Sequence, residues 1–100
     1  MLRDFFLGFI RIHILHHACE EPTYGTGIME ELARHGYRLS PGTLYPILHE
    51  LKEQGYLKAY NEVVNGKVRR YYRTTAEGKA ALQEAKPKIA ELVEEVLHEE

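Results

Sequence analysis

A mainly α fold with a single β-hairpin (α+β) is predicted by three features of this 100-residue chain. Apolar residues recur at helical spacing in four separate stretches. The pair Asn65-Gly66 divides two alternating segments, which is the strongest short-range hairpin signal. The length suits one small domain, whose modest core often leans on a partner subunit.

The elements follow in order. Phe5 to Ala18 reads as a mostly buried helix, with Phe6, Phe9, Ile10, His13, Ile14 and His17 at helical spacing. Ile10, Ile12 and Ile14 also alternate as in a strand, and length decides for helix. Pro22 ends it, because the residue before a proline avoids the helical region. A second helix is predicted from Thr26 to His35, with Ile28, Met29, Leu32 and Ala33 as its apolar stripe and Gly36 beyond its end. After the connector Tyr37–Leu39, Ser40 is the N-cap and Pro41 the first residue of a third helix, which Gly55 stops. Leu44, Ile47, Leu48 and Leu51 form its inward stripe.

From Tyr56 to Thr74 the period changes to two. A two-residue turn at Asn65-Gly66 pairs Val64 with Lys67, Val63 with Val68, Glu62 with Arg69, Tyr60 with Tyr71 and Lys58 with Arg73. One face then holds Leu57, Ala59, Val63, Val68 and Tyr72; the other holds Lys58, Lys67, Arg69 and Arg73. Thr74 and Glu77 have the spacing of a capping box opening the last helix. In that helix Leu82, Ala85, Ile89, Leu92 and Val96 repeat at alternating spacings of three and four, a seam suited to a dimer interface. Pro87 is expected to kink or split it near Gln83–Lys86. Three helices, a hairpin and a final helix are the order of a winged helix-turn-helix with terminal dimerisation helices. The expected division is 1–75 for the winged-helix unit with its N-terminal helix and 76–100 for the dimerisation helix.

Net charge is −2, but it is unevenly spread. Residues 1–36 carry three Lys/Arg and five Asp/Glu, residues 37–79 eight and four, and residues 80–100 two and six. The basic charge therefore concentrates in the middle of the chain, around the third helix and above all just after it, where six of the eight lie in 58–79, as a nucleic-acid partner would require. The acidic end, Glu91, Glu94, Glu95, Glu99 and Glu100, reads as a solvated helix face. A single cysteine, Cys19, fits a reducing, cytoplasmic setting. No run is long enough to cross a membrane, and the apolar start is broken by Arg3, Asp4, Arg11 and His13, unlike a signal peptide.

With its leucine stripe turned inward, the third helix presents Ser40, Gly42, Thr43, Tyr45, Pro46 and His49 outward or on its flanks. Its first turn is low and small, so its backbone can approach a ligand closely. Hydroxyls and an imidazole can address base edges, and the helix N-terminus favours phosphate. A bland alternative treats these residues as an ordinary helix start. The basic hairpin that follows, with Lys67 at its tip and Arg69, Arg70 and Arg73 behind, tips the balance towards double-stranded DNA.

The run YGTGIMEELARHGYRLSPGTLYPILHELKEQGYL, followed by NGKVRRYYRTTAEGKAAL, strongly resembles the PadR family of bacterial transcriptional regulators over roughly residues 8–83. The resemblance implies a winged-helix repressor that binds an inverted-repeat operator as a homodimer and answers to a small-molecule effector, often aromatic. It places Ser40, Gly42, Thr43, Tyr45 and Pro46 on the recognition-helix motif, and Asn65, Gly66, Lys67 and Arg69 on the wing. Tyr24 matches the tyrosine that opens the second helix near the DNA backbone. The chain departs from some relatives in its short C-terminal part. It also has no tryptophan with which to line an effector pocket as they do.

Two rival readings share the same fold. One is a winged helix serving protein–protein assembly alone, whose mark would be an apolar or acidic third-helix face. The other is a regulator that senses metal or redox state through His13, His16, His17 and Cys19. His13 and His17 are four residues apart and able to share an ion. Without a second dense group of ligands they read as packing, so neither metal nor cofactor is expected. Cys19 has no basic neighbour or resolving cysteine to make it a redox switch. No nucleophile–base spacing, Gly-rich phosphate loop or paired carboxylates in an apolar setting point to an enzyme.

Overall fold

The structure, a computed structural model, describes residues 2–98; the expected acidic residues Glu99 and Glu100 lie outside them. The order is α1 (Leu2–Glu20), β1 (Thr23–Tyr24), α2 (Gly25–Arg34), α3 (Pro41–Glu53), β2 (Leu57–Val64), β3 (Lys67–Thr74) and α4 (Ala76–Leu97). This is the α+β, winged helix-turn-helix arrangement that the sequence predicts. The core joins Ile10, Ile14, Leu15 and Ala18 of α1 to Ile28 and Leu32 of α2, the leucine stripe of α3, and Leu57 and Tyr72 of the sheet. Leu44 and Leu48 are wholly buried, so α3 is seated with one fixed face towards solvent. Its ends are set by backbone chemistry. Pro41 occupies the start of the helix, and Gly36 and Gly55, at φ +87° and +84°, reverse the chain after α2 and α3.

The hairpin register is the expected one at every predicted pair. Asn65 at φ 52° and Gly66 at φ 78° give the two left-handed residues that such a turn needs. The sheet has a third member: β1 pairs antiparallel with β3, Thr23 opposite Tyr72 and Tyr24 opposite Tyr71. Two residues are too few to show alternation, which is why the sequence does not announce this strand.

Four expectations are corrected. The hairpin's apolar face is covered only at its base: Leu57 and Tyr72 are buried, whereas Val63 and Val68 are 72% and 71% exposed because the tip extends past the core. Phe5 and Phe6 are likewise exposed, so only the second half of α1 is truly buried. Pro87 does not split α4, which is one helix from Ala76 to Leu97. The cap of α4 is Thr75, not Thr74. The sheet claims Thr74 as the partner of Leu57, and its buried hydroxyl donates to the Leu15 carbonyl at 2.7 Å. The Thr75 hydroxyl accepts from the Gly78 N–H at 3.0 Å and donates to the Gly55 carbonyl at 2.6 Å. Gly78 is required beside it, since a Cβ there would collide with the Tyr56 carbonyl oxygen.

Thr75→Ala is therefore expected to lower unfolding free energy by about 1 kcal/mol, the usual cost of removing an N-cap. Thr75→Ser should keep most of it. Equal stability of all three proteins in a urea titration would show that the cap contributes nothing.

Gly78 and Leu82 at the start of α4 are buried against the rest of the chain, and Ala85 and Ile89 are half-buried. Leu82, expected in the dimer seam, belongs to the protomer's own core. The seam that remains open is its second half, where Leu92 and Val96 are 49% and 63% exposed beside Val93 and Leu97. None of the helices is long and apolar enough to cross a membrane among the described residues.

Candidate nucleic-acid interface

Burial of Leu44, Ile47, Leu48 and Leu51 leaves Ser40, Gly42, Tyr45, Pro46 and His49 exposed and Thr43 half-buried. Ser40 is the N-cap by position, yet its hydroxyl lies 3.3 Å from the Thr43 hydroxyl instead of bonding a backbone N–H. The Thr43 and Leu44 N–H groups both donate to the Ser40 carbonyl at 3.0 Å, which tightens the first turn. Pro46 is accommodated one turn later without interrupting the helix. The flank is tied to α1 by an ion pair from Arg11 to Glu50 at 3.1 Å, partly exposed and so of modest strength. His49 approaches Glu53 at 3.9 Å along the exposed side of the same helix.

Tyr45 has a structural duty as well. Its phenol covers the backbone of Gly25 at the head of α2, where any Cβ would collide with the ring. Gly25 is buried by this contact. The sequence offers no sign of it, because Gly25 reads there as one more residue before a helix.

Tyr24 stands beside this contact. The Arg69 guanidinium lies over its ring, 4.1 Å from the centroid. The Tyr24 ring meets Tyr71 edge-on at 5.6 Å, and Tyr71 stacks on Tyr60 at 5.7 Å. This aromatic row supports the hairpin where it leaves the core. Glu62 and Arg69 face one another in register, but Arg69 stacks on Tyr24 and forms no ion pair with Glu62. Among the described residues, none of Lys58, Lys67, Arg69, Arg70 and Arg73 is in an ion pair. Their charge is left available.

A cleft of about 470 Å³ opens between the head of α2, α3 and the hairpin. It is lined by Tyr24, Thr26, Tyr45, Asn65, Lys67 and Arg69. Three cationic side chains, Lys67, Arg69 and Arg70, and the N-terminal end of α2 thus line one space, an arrangement that favours an anionic oxygen. Ser40 and Thr43 lie on the other side of α3, at the edge of a groove of about 780 Å³ that also involves Leu2, Phe6, Tyr37 and Leu39. The expected recognition-helix residues therefore divide: Tyr45 faces the wing, and Ser40 and Thr43 face away from it.

The histidines of α1 form a separate cluster where α1 packs on α2. His13 stacks against His35, the C-cap of α2, with centroids 4.7 Å apart, and His17 lies 5.8 Å from the same ring. Burial, and the neighbouring imidazoles of His35, His17 and His16, lower the pKa of His13, with Glu31 acting against them. Cys19 belongs to neither histidine group. Two residues along a helix turn the side chain by roughly 200°, so it leaves the face that His17 occupies. Sequence reasoning misses His35 as a member of this cluster; only the packing of α1 on α2 brings it there.

The profile described as the transcriptional regulator PadR-like family matches residues 14–84. The transcriptional regulator Rv3488 of Mycobacterium tuberculosis is 49% identical over 96 residues, spanning 96% of this chain and 90% of that protein. The crystal structure of a PadR family transcriptional regulator from Eggerthella lenta superposes with a TM-score of 0.80 at 34% identity, covering 92% of this chain and 81% of that one. A PadR family transcription regulator from Clostridium difficile gives 0.78 at 26% identity, with 89% and 98% covered.

Proposed function

Because the chain belongs to the PadR-like family of transcriptional regulators, we propose that it acts as a repressor, binding double-stranded DNA as a homodimer at an inverted-repeat operator. The carrying observation is the cleft in which Lys67, Arg69 and the head of α2 converge beside the exposed face of α3. Phosphate oxygens suit that cleft, and a helix held there by the backbone can present Thr43, Pro46 and His49 to base edges in the major groove. Residues 1–75 form the DNA-binding unit. The part of α4 beyond Ile89 pairs with the same part of a second copy, a reading supported by the exposed Leu92 and Val96. A small molecule seated in the groove beside Thr43 would compete with DNA for the same helix turn, which supports release by an effector.

The test is a titration on duplex taken from the gene's own promoter and on a scrambled duplex, at several salt concentrations. Lys67→Ala should weaken both duplexes alike and reduce the salt slope by about one unit for each phosphate that the lysine neutralises. A wild-type protein that binds neither duplex more tightly at low salt would leave the fold as a protein–protein module.

A further inference from the structure

The geometry points to a binding site for a divalent transition-metal ion at the packing of α1 on α2, with His13, His17 and His35 as imidazole ligands and Glu31 as the carboxylate beside them. No step of the DNA-binding proposal uses these residues, so the site stands or falls separately from it. His13 and His17 are four residues apart on α1, and Glu31 and His35 are four apart on α2 and its C-cap. Each pair occupies one face of its helix. Packing of the two helices turns the pairs towards each other. Two ligands from each of two adjoining helices is a way in which bundles build metal sites.

The distances agree. One ligand atom from each of His13, His17 and His35 lies within 4.8 Å of the others. Glu31 Oε1 is 3.5 Å from His17 Nε2 and 3.8 Å from His35 Nε2. Around a tetrahedral ion with bonds near 2.1 Å, ligand atoms stand about 3.4 Å apart, so side-chain rotations draw the three imidazoles together, and Glu31, which lies against His17 and His35 but outside the three-histidine group, turns towards His13 to complete the set. The other carboxylate oxygen of Glu31 is held by Arg34, which fixes the orientation of the group. Exposures of 25% for the His17 side chain, 30% for Glu31 and 42% for His35 leave a path for the ion. Three nitrogens and one oxygen suit zinc, nickel, cobalt or copper rather than calcium or magnesium. An ion bound here fastens α1 to the end of α2 from which Gly36–Leu39 lead directly to Ser40.

The second histidine group, His16, His17 and Glu20, lies along a single helix and is the natural competitor. Cobalt(II) and zinc(II) titrations of protein purified without a histidine tag separate the two. Cobalt should saturate at one ion per chain, develop the visible absorption of a tetrahedral site, and be displaced by zinc. His35→Ala should abolish that absorption, and Glu31→Gln should weaken binding by about 10–100-fold. His16→Ala and Cys19→Ser should bind as the unaltered chain does. Binding unchanged in His35→Ala, or abolished in His16→Ala, overturns the site. Should His35→Ala fail to fold, zinc-induced shifts of the histidine ring signals by NMR decide the matter. Movement of His13, His17 and His35 together supports the site, and movement without His35 refutes it.

Discussion

Leu92→Asp is expected to convert the proposed homodimer to a monomer. Leu92 is 49% exposed in the single chain, next to Val93 at 40% and Val96 at 63%, so the apolar half of α4 has no cover of its own. Burying each such side chain against a partner contributes roughly 1.5–3 kcal/mol. An aspartate in the seam must either be buried unpaired, at a cost of several kcal/mol, or keep the interface open. Because Leu92 lies outside the protomer's core, the substitution leaves the monomer folded, and far-ultraviolet circular dichroism should be unchanged. Sedimentation should show half the mass. Affinity for a two-half-site duplex should fall by on the order of 10²-fold or more, since the second half-site is no longer delivered by the first. An unchanged oligomer would show that the seam is not the interface.

Much of the scaffold is legible in the sequence because it is specified locally. Asn65-Gly66 admits one tight turn, and a two-residue turn leaves one register; all the expected pairs follow. Ser40-Pro41 and Gly55 likewise fix α3, and its four-residue apolar stripe fixes which face is left outward. What escapes notice depends on contacts between distant segments. Thr74 and Thr75 are equally good caps until the sheet takes one of them. Val63 and Val68 alternate correctly, but alternation does not say where the core ends. Leu82 fits a heptad, yet it is already buried within the single chain, so it is not left open for a partner. The candidate interface divides along the same line. Lys67 and Arg69 are visible as charge on a hairpin, whereas the stacking of Arg69 on Tyr24 and the seat of Tyr45 on Gly25 exist only once α2, α3 and the sheet are packed. His35 joins His13 for the same reason.

The other large effect concerns Thr43. It projects from the first turn of α3, half-buried, with its hydroxyl 3.3 Å from that of Ser40. A side chain in that place on a groove-entering helix meets base edges, through its hydroxyl or through its methyl against thymine. Base contacts carry sequence information, and phosphate contacts carry affinity and salt dependence. Thr43→Ala should therefore cost on the order of 1–3 kcal/mol on operator duplex and almost nothing on scrambled duplex. A neutral threonine displaces no counterion from the duplex, so the salt slope should not change. The decisive measurement is the ratio of operator to scrambled affinity for the unaltered chain and for Thr43→Ala in one buffer. A ratio that falls by about tenfold or more, with scrambled binding intact, is what reading by α3 predicts. Equal weakening on both duplexes would contradict it and leave the helix with no part in recognising sequence.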